Sequence, residues 1–335
     1  MVYVGIDVSK HKLDVSVTLD GKTSAAYGEF KNDAGGFKAI CKWVSKQARK
    51  LNQAGVQHHY GMEATGIYSE GVYEYLMEQR DAIVSLLNPA QVKAFGRSEL
   101  VRAKTDKADS GLIARYVANM KPAATPVLPQ EVKEMRSLQR HLVYLKGRKA
   151  EAQGHLESAV DIRVRKSTMK IVKGFEKEIE ATEQALEEHV GKHPGLKEKL
   201  ELLNSIPGIG WYTAINILCE MGVEIWSGGK INGKAQVAHA GLAPMIRESG
   251  ISVKGKGEIC KAGNKRLRHG LYFPAMTACR HNSIIMSFYE RLIKNGKSKM
   301  VALVASMRKL LMIAIGVLNN GRPFAADWKS KRLTA

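Results

Sequence analysis

Two carboxylates three residues apart in Lys104-Thr105-Asp106-Lys107-Ala108-Asp109, with Asp7 in Val4-Gly5-Ile6-Asp7-Val8-Ser9-Lys10 and Glu63 in Gly61-Met62-Glu63-Ala64-Thr65-Gly66, bear most directly on chemistry in this chain. On a helix, Asp106 and Asp109 share a face, while Asp7 and Glu63 each follow a short apolar stretch that reads as a strand. Acids gathered in one place repel one another. A hard divalent cation with oxygen ligands relieves that repulsion, and Mg²⁺ takes its remaining ligands from water and substrate phosphates. The set therefore reads as a site for phosphodiester chemistry on two ions, Mg²⁺ or Mn²⁺, held by Asp7, Glu63, Asp106 and Asp109. Taken singly, Asp7 or Glu63 is a strand-end turn former and Asp106 a helix N-cap. Asp14, Asp20 and Asp33 read as turn or surface acids, and His58-His59 as a strand pair exposed at a sheet edge.

Such chemistry needs a polyanion, and the charge supplies the reason to expect one. The chain carries 52 Lys and Arg against 32 Asp and Glu, a net +20. Residues 226 to 335 hold 20 of those bases against four acids, so +16 of the excess lies in the last third. So large a single-sign excess repels itself without a partner, and that end is expected to sit on nucleic acid. Only 7% of residues are aromatic, which argues against aromatic-rich platforms for single strands.

With 335 residues, 44% of them hydrophobic, the chain can build more than one cored domain. It begins on a strand pattern rather than a basic segment followed by an apolar one, and no later stretch approaches about 18 unbroken apolar residues. A cytosolic protein is expected. Cys41, Cys219, Cys260 and Cys279 form no C-x-x-C pair, which speaks against zinc and against a disulfide framework.

Three regions are expected. Residues 1 to 125 alternate strand and helix patterns: a meander of Val2 to Ile6, Leu13 to Leu19 and Ser24 to Phe30, a helix over Asp33 to Leu51, a strand ending at Glu63, a helix from about Tyr68, and a strand Ala82 to Leu87 broken by Asn88-Pro89. This is an α/β layout with a mixed sheet, that of a ribonuclease-H-like domain. Residues 126 to 200 show three-four spacing at Met135, Leu138, Leu142, Leu145 and at Val172, Phe175, Ile179, Leu186, Val190. The spacing predicts long helices in an antiparallel or dimeric coiled coil, either a spacer within one subunit or an oligomerisation face. Gly147, Gly154 and Gly174 interrupt the pattern, and a loop or hairpin tip is expected within Ala159 to Val172.

Residues 201 to 335 are expected to form a basic, mostly helical domain. Ser205-Ile206-Pro207-Gly208-Ile209-Gly210 precedes a helical stretch, and Gly208 and Gly210 free backbone amides that can hold a phosphate. The segment resembles the hairpin of helix-hairpin-helix DNA-binding proteins; an ordinary interhelical turn is the competing reading. A polar loop from Arg247 to Gly257 follows, with Ser249, Ser252, Lys254 and Lys256, before Lys261 and the helix bearing Lys265, Arg266 and Arg268. Lys104 and these cations are the expected nucleic-acid contacts.

The order GIDVSK, MEATGIY, NPAQVKAF, KTDKADS, IPGIG, GLAP, ESG and Lys-Ala-Gly-Asn-Lys-Arg-Leu-Arg covers nearly the whole chain. It resembles the 110-type family of insertion-sequence transposases, recombinases with an N-terminal RuvC-like domain carrying a DEDD set and a C-terminal transposase domain carrying a serine. By that resemblance the four acids fall on Asp7, Glu63, Asp106 and Asp109, and the nucleophilic serine on Ser249, with Ser252 as the alternative if the loop is shifted. The resemblance also implies a structured noncoding guide, the bridge RNA, that pairs with donor and target DNA, and a working homo-oligomer, a dimer or a tetramer in the synaptic complex.

The expected reaction is DNA cleavage and exchange through a phosphoserine link, with Lys254, Lys256 and Arg268 steadying phosphate charge. No histidine lies in the 247 to 257 loop, so the serine's activation is expected from the carboxylate domain. A RuvC-like nuclease or Holliday-junction resolvase using activated water is the alternative. A sugar-kinase or actin-like ATPase would share Gly5-Ile6-Asp7-Val8-Ser9 and would need a second phosphate loop later in the chain, so that motif alone is weak support.

Overall fold

Alternation along the first strands sorts their side chains onto two faces of a sheet, and each face seats different helices. The computed structural model describes the chain apart from residues 64–65, 101–104, 223–224, 227, 246–247, 250–252, 255–257 and 326–335, with backbone only at 67, 248, 249, 253, 254 and 258. It divides into two compact units, Met1–Val127 and Leu128–Ala335.

In the first unit, β1 (Val2–Val8), β2 (Lys12–Thr18) and β3 (Ala26–Lys31) form the expected meander. Then come α1 (Ala34–Lys50), β4 (His58–Glu63), α2 (Ile67–Met77), β5 (Ala82–Leu87), α3 (Pro89–Ser98) and α4 (Asp106–Met120). The strands lie in the order β3-β2-β1-β4-β5, antiparallel from β3 to β1 and parallel from β1 through β4 to β5. Val2, Val4, Ile6, Leu13, Val15, Val17, Tyr60 and Met62 point to one face and join Phe37, Ile40 and Val44 of α1 and Val72 and Leu76 of α2 in a common core. Odd residues of β1 and β4 and even residues of β2 point to the other face, where α4 lies with Ile113, Tyr116 and Val117 against Leu87 and Tyr3.

What lets α4 settle there is a row of small residues. Gly5 pairs with Ser16 on one side and Gly61 on the other, and Gly61 pairs with Ser85. A Cβ on Gly5 would overlap the α4 backbone at Ser110 and Ala114, and one on Gly61 would strike the Val117 side chain. Ser16 Oγ and Ser110 Oγ share a buried hydrogen bond of 2.9 Å. His59 is buried on β4, an interior strand, within 2.9 Å of Ser85 Oγ. The edge exposure expected for the histidine pair is therefore wrong.

In the second unit, α5 (Gln130–Ser158) and α6 (Ile162–Lys192) form an antiparallel hairpin, tied by Lys146–Glu183 at 2.7 Å and Lys149–Glu176 at 2.9 Å. Only 159–161 separates the helices, so the hairpin tip falls at the start of the segment where it was expected and the rest of that segment is helix, started by Asp161 accepting from Arg163 N. Gly147, Gly154 and Gly174 sit inside the helices with open space at each Cα. Each costs only about 1 kcal/mol in a helix, less than the seam of Val132, Met135, Leu142, Leu186 and Val190 returns by burial.

That seam runs into one core shared with α7 (Pro194–Asn204), α8 (Trp211–Glu220), α9 (Gly233–His239), α10 (Lys265–Gly270), α11 (Tyr272–His281), α12 (Ser283–Lys294) and α13 (Lys299–Asn320). Between α9 and α10, β6 (Pro244–Met245) pairs with β9 (Glu258–Ile259) and β7 (Glu248–Ser249) with β8 (Val253–Lys254). By length and composition α13, with a mean hydropathy of 2.0, could cross a membrane. Here it is a core helix, with Leu310, Leu311, Ala314 and Ile315 among its buried residues.

Gly5→Ala is expected to lift α4 from the sheet and lower stability by about 1–3 kcal/mol or more. The control Gly147→Ala should be neutral or slightly stabilising. Urea-unfolding midpoints of the two variants check this, and equal midpoints would remove the close helix–sheet contact as a constraint.

Candidate functional site

One step along each strand face from the small-residue row lies a second row, and it is acidic. Asp7 pairs directly with Asp14 across β1 and β2. Glu63 ends β4 one position beyond the Ile6–Met62 pair. All three therefore share the α4 face of the sheet. The same contact brings the first turn of α4, with Asp106 and Asp109, against these strands. Thr105, not Asp106, is the N-cap: its hydroxyl accepts from Ala108 N at 3.2 Å. The capping role weighed for Asp106 is thus filled by its neighbour. Both aspartates profit from the positive end of the helix.

Electrostatics mark the cluster. Asp7 is pushed up to about 6, first by burial and then by the charges of Asp109, Asp106, Asp14 and Glu63. Glu63 is raised by burial and by Asp109. The carboxylates are near enough to feel one another, yet among the described residues no three ligating side chains stand as a ready-made ion cage.

An ammonium group stands among them. Lys12 Nζ lies 3.1 Å from Asp14 Oδ2 and 2.9 Å from Asp106 Oδ2, and these bonds hold its pKa well above the ordinary lysine value. Asp14 is 1% exposed, so the turn or surface position expected for it is wrong. Its other oxygen lies 2.6 Å from the Tyr27 hydroxyl, which also stands 2.7 Å from Glu29 Oε1. Burial raises Tyr27, keeping it a neutral donor. Sequence reasoning missed Lys12, Asp14 and Tyr27. The signal was present: Lys12 and Asp14 share a strand face with Asp7 once the tight β1–β2 register is drawn. Asp20 is the turn former expected, accepting from Lys22 N and Thr23 N, and Asp33 caps α1 through Gly36 N.

The expected residues of the basic region fare unevenly. Ser249 sits on β7 opposite Val253, and Lys254 on β8 opposite Glu248, with backbone alone described for both. Lys104, Arg247, Ser252 and Lys256 lie outside the described residues. Lys261, Lys265 and Arg266 are exposed. Arg268 is committed elsewhere, its Nη1 donating to Ala240 O at 3.1 Å and Lys261 O at 3.2 Å.

At the turn between α7 and α8 the two glycines differ. Gly208 has a φ of +101°, and a Cβ there would overlap Ala278 of α11, so its glycine is a packing requirement. Gly210 stands at the start of α8 in open space, and α8 has no side-chain cap. At this turn lies a recess of about 470 Å³ lined in part by Pro207, Gly208, Gly210, Thr213 and the largely exposed Phe273.

A transposase profile of the DEDD, IS110 type matches residues 4–165, spanning the acidic positions, and the transposase IS116/IS110/IS902 family profile matches residues 200–290. The class is thereby a transposase, an enzyme that recombines DNA. The pilin gene-inverting protein of Moraxella bovis is 30% identical over 325 residues, 96% of this chain and 97% of its own, and that of Moraxella lacunata matches to the same extent. An uncharacterized 43.6 kDa protein of insertion element IS110 from Streptomyces coelicolor is 28% identical over 121 residues, 36% of this chain and 29% of its own. The chain belongs to the IS110 family of transposases.

Lys12→Met leaves the buried Asp14 without its cation and Asp106 without its tether. Strand cleavage by the purified protein is expected to fall roughly ten- to hundredfold. Lys12→Arg should keep most activity, because a guanidinium also spans two carboxylates. Parental rates in both variants would show that the tether is dispensable.

Proposed function

We propose that this transposase is a bridge-RNA-guided DNA recombinase in which Asp7, Glu63, Asp106 and Asp109 hold Mg²⁺ or Mn²⁺ and Ser249 attacks the scissile phosphate. The observation that carries the metal reading is the acidic row facing the start of α4, with Asp7 raised to about 6. Carboxylate oxygens are hard donors suited to such ions. When bound, the ions neutralise charge on the phosphate and the carboxylates together. This chain's own contributions are separate. The sheet and α4 supply the acids from three elements, Lys12 fixes Asp106 by an ion pair, and Tyr27 orients Asp14.

In the serine step an Oγ–P bond forms as the bond from phosphorus to the departing strand breaks. The serine proton leaves to a base, and the departing alkoxide takes up a proton to become a hydroxyl. Attack of another strand's hydroxyl on the phosphoserine reverses the balance and completes exchange without net hydrolysis. Support for Ser249 is its place in the Glu-Ser-Gly triplet of the family pattern. Support for the first unit as a ribonuclease-H-like domain is the mixed sheet with its acids at strand ends.

Guidance by RNA accords with a chain that has +20 of charge and few aromatics, since base pairing then chooses the sequence and the protein reads backbone shape and charge. Lys104, Arg247, Lys254, Lys256, Lys261, Lys265, Arg266, Arg268 and the Gly208–Gly210 turn are the proposed contacts. A homo-oligomer, dimer or tetramer, has a natural surface at the hairpin tip, where Val160 is 97% and Ile162 62% exposed.

Two measurements test the chemistry. Ser249→Ala should still bind DNA but yield no denaturant-resistant protein–DNA adduct; an undiminished adduct would exclude Ser249, and cleavage without any adduct in the parent protein would favour activated water. The second concerns pH. An acid whose folded pKa lies above its unfolded value holds a proton in the fold that the unfolded chain has lost, so stability from this source falls as pH rises from about 4 to about 6. A cation replaces that proton. The rise in Tm on adding Mg²⁺ is therefore expected to be larger at about pH 7.5 than at about pH 5, and to vanish in Asp7→Asn. The same shift at both pH values would sink the assignment of Asp7.

A further inference from the structure

The second unit carries a recess of about 490 Å³ between α5, α8 and α10 that the chemistry above does not use. That volume lies in the range that holds a small molecule, roughly 300–1,000 Å³. Its floor is a pair of amides. Gln139 is 6% exposed, and its Nε2 donates to Asn216 Oδ1 at 3.1 Å. This leaves Gln139 Oε1 and Asn216 Nδ2 buried without a hydrogen-bond partner among the described residues. Exchanging oxygen and nitrogen in both amides leaves the same inventory, one unmet acceptor and one unmet donor. Gly270 belongs to this arrangement, since a Cβ there would collide with the Asn216 amide.

The walls and rim have their own character. Val143 and Tyr144 contribute an apolar side and an exposed ring, at 58% and 56% exposure. Lys265, Arg266 and His269 are exposed at the α10 side and have no ion-pair partner among the described residues. Arg140, also at the recess, is paired with buried Glu220 through bonds of 3.0 and 3.3 Å. Asn264 donates to the same carboxylate at 2.8 Å, so among the described lining residues no free acid offsets the rim.

A ligand that answers these features is flat on one side, carries an edge with both a donor and an acceptor, and bears an anionic group a few ångströms away. A nucleotide has that combination. In a duplex the base edge is already paired and stacked, so the nucleotide must come from an unpaired stretch. The terminal torsions of Gln and Asn are soft, which lets the pair turn its unmet atoms toward an entering base. We propose that the recess accepts one unpaired nucleotide of a nucleic-acid strand, its base against Gln139, Asn216 and Tyr144 and its phosphate at Lys265, Arg266 and His269. This rests on the nucleic-acid reading above and adds to it a base-selective contact. The strand's source, RNA or DNA, is decided by the sugar.

The test is fluorescence anisotropy on the full-length protein with labelled single strands of A, C and U or T, in ribose and deoxyribose series, beside a duplex of equal length. The parent is expected to bind one base type about fivefold or more tighter than the others. Gln139→Met, similar in volume, should erase that preference and leave duplex binding unchanged. Tyr144→Ala, a surface change that does not threaten folding, should weaken every single strand by about fivefold or more and spare the duplex. A preference confined to the ribose series assigns the recess to RNA, and one confined to the deoxyribose series to a DNA strand. Equal affinity for all bases, or a preference that survives Gln139→Met, overturns the proposal while duplex binding keeps the broader reading intact. Failure to bind any of the strands would instead overturn the broader reading.

Discussion

Direct contact of the α4 backbone with the backbone of β1 is the constraint on which the first unit depends. It is possible only because Gly5 and Gly61 stand side by side on adjacent strands with serines flanking them. A helix usually rides about 10 Å from a sheet on a cushion of side chains; here part of that cushion is missing. The result is that acids on the strands and acids on the helix are brought near enough to perturb one another. Apolar packing on the opposite face, through α1 and α2, fixes the strands against which this happens.

Crowded carboxylates oppose folding, and the chain meets the problem in three ways. Asp7 holds on to its proton further up the pH scale. Lys12 places a cation between Asp14 and Asp106. The positive end of α4 faces the remaining charge. Together they make the crowded carboxylates compatible with the folded state.

Much of this was legible in residue order. Every strand of the first sheet and α1 follow from alternation and helical spacing, because local pattern and burial agree there. The four acids could be picked out as a set, but not their company. Asp14 looks like a polar residue near a turn until register puts it opposite Asp7, and register is a property of two strands together. Gly5 could be placed on a strand but not assigned a role, whereas its neighbours across the sheet show a packing role. The glycines of α5 and α6 misled in the opposite direction, since local propensity yields to a long buried seam. The Gln139–Asn216 recess was invisible, because residues 139, 216 and 265 to 270 meet only in the folded unit.

The helical hairpin has a mechanical consequence. Helices of 29 and 31 residues rise about 1.5 Å per residue, so the pair forms a rod about 45 Å long, braced by ion pairs. Such a rod works as a ruler. Removing one seven-residue repeat from each arm would shorten it by about 10 Å while keeping the seam in phase; removing any other small number would also swing the apolar tip around the rod's axis.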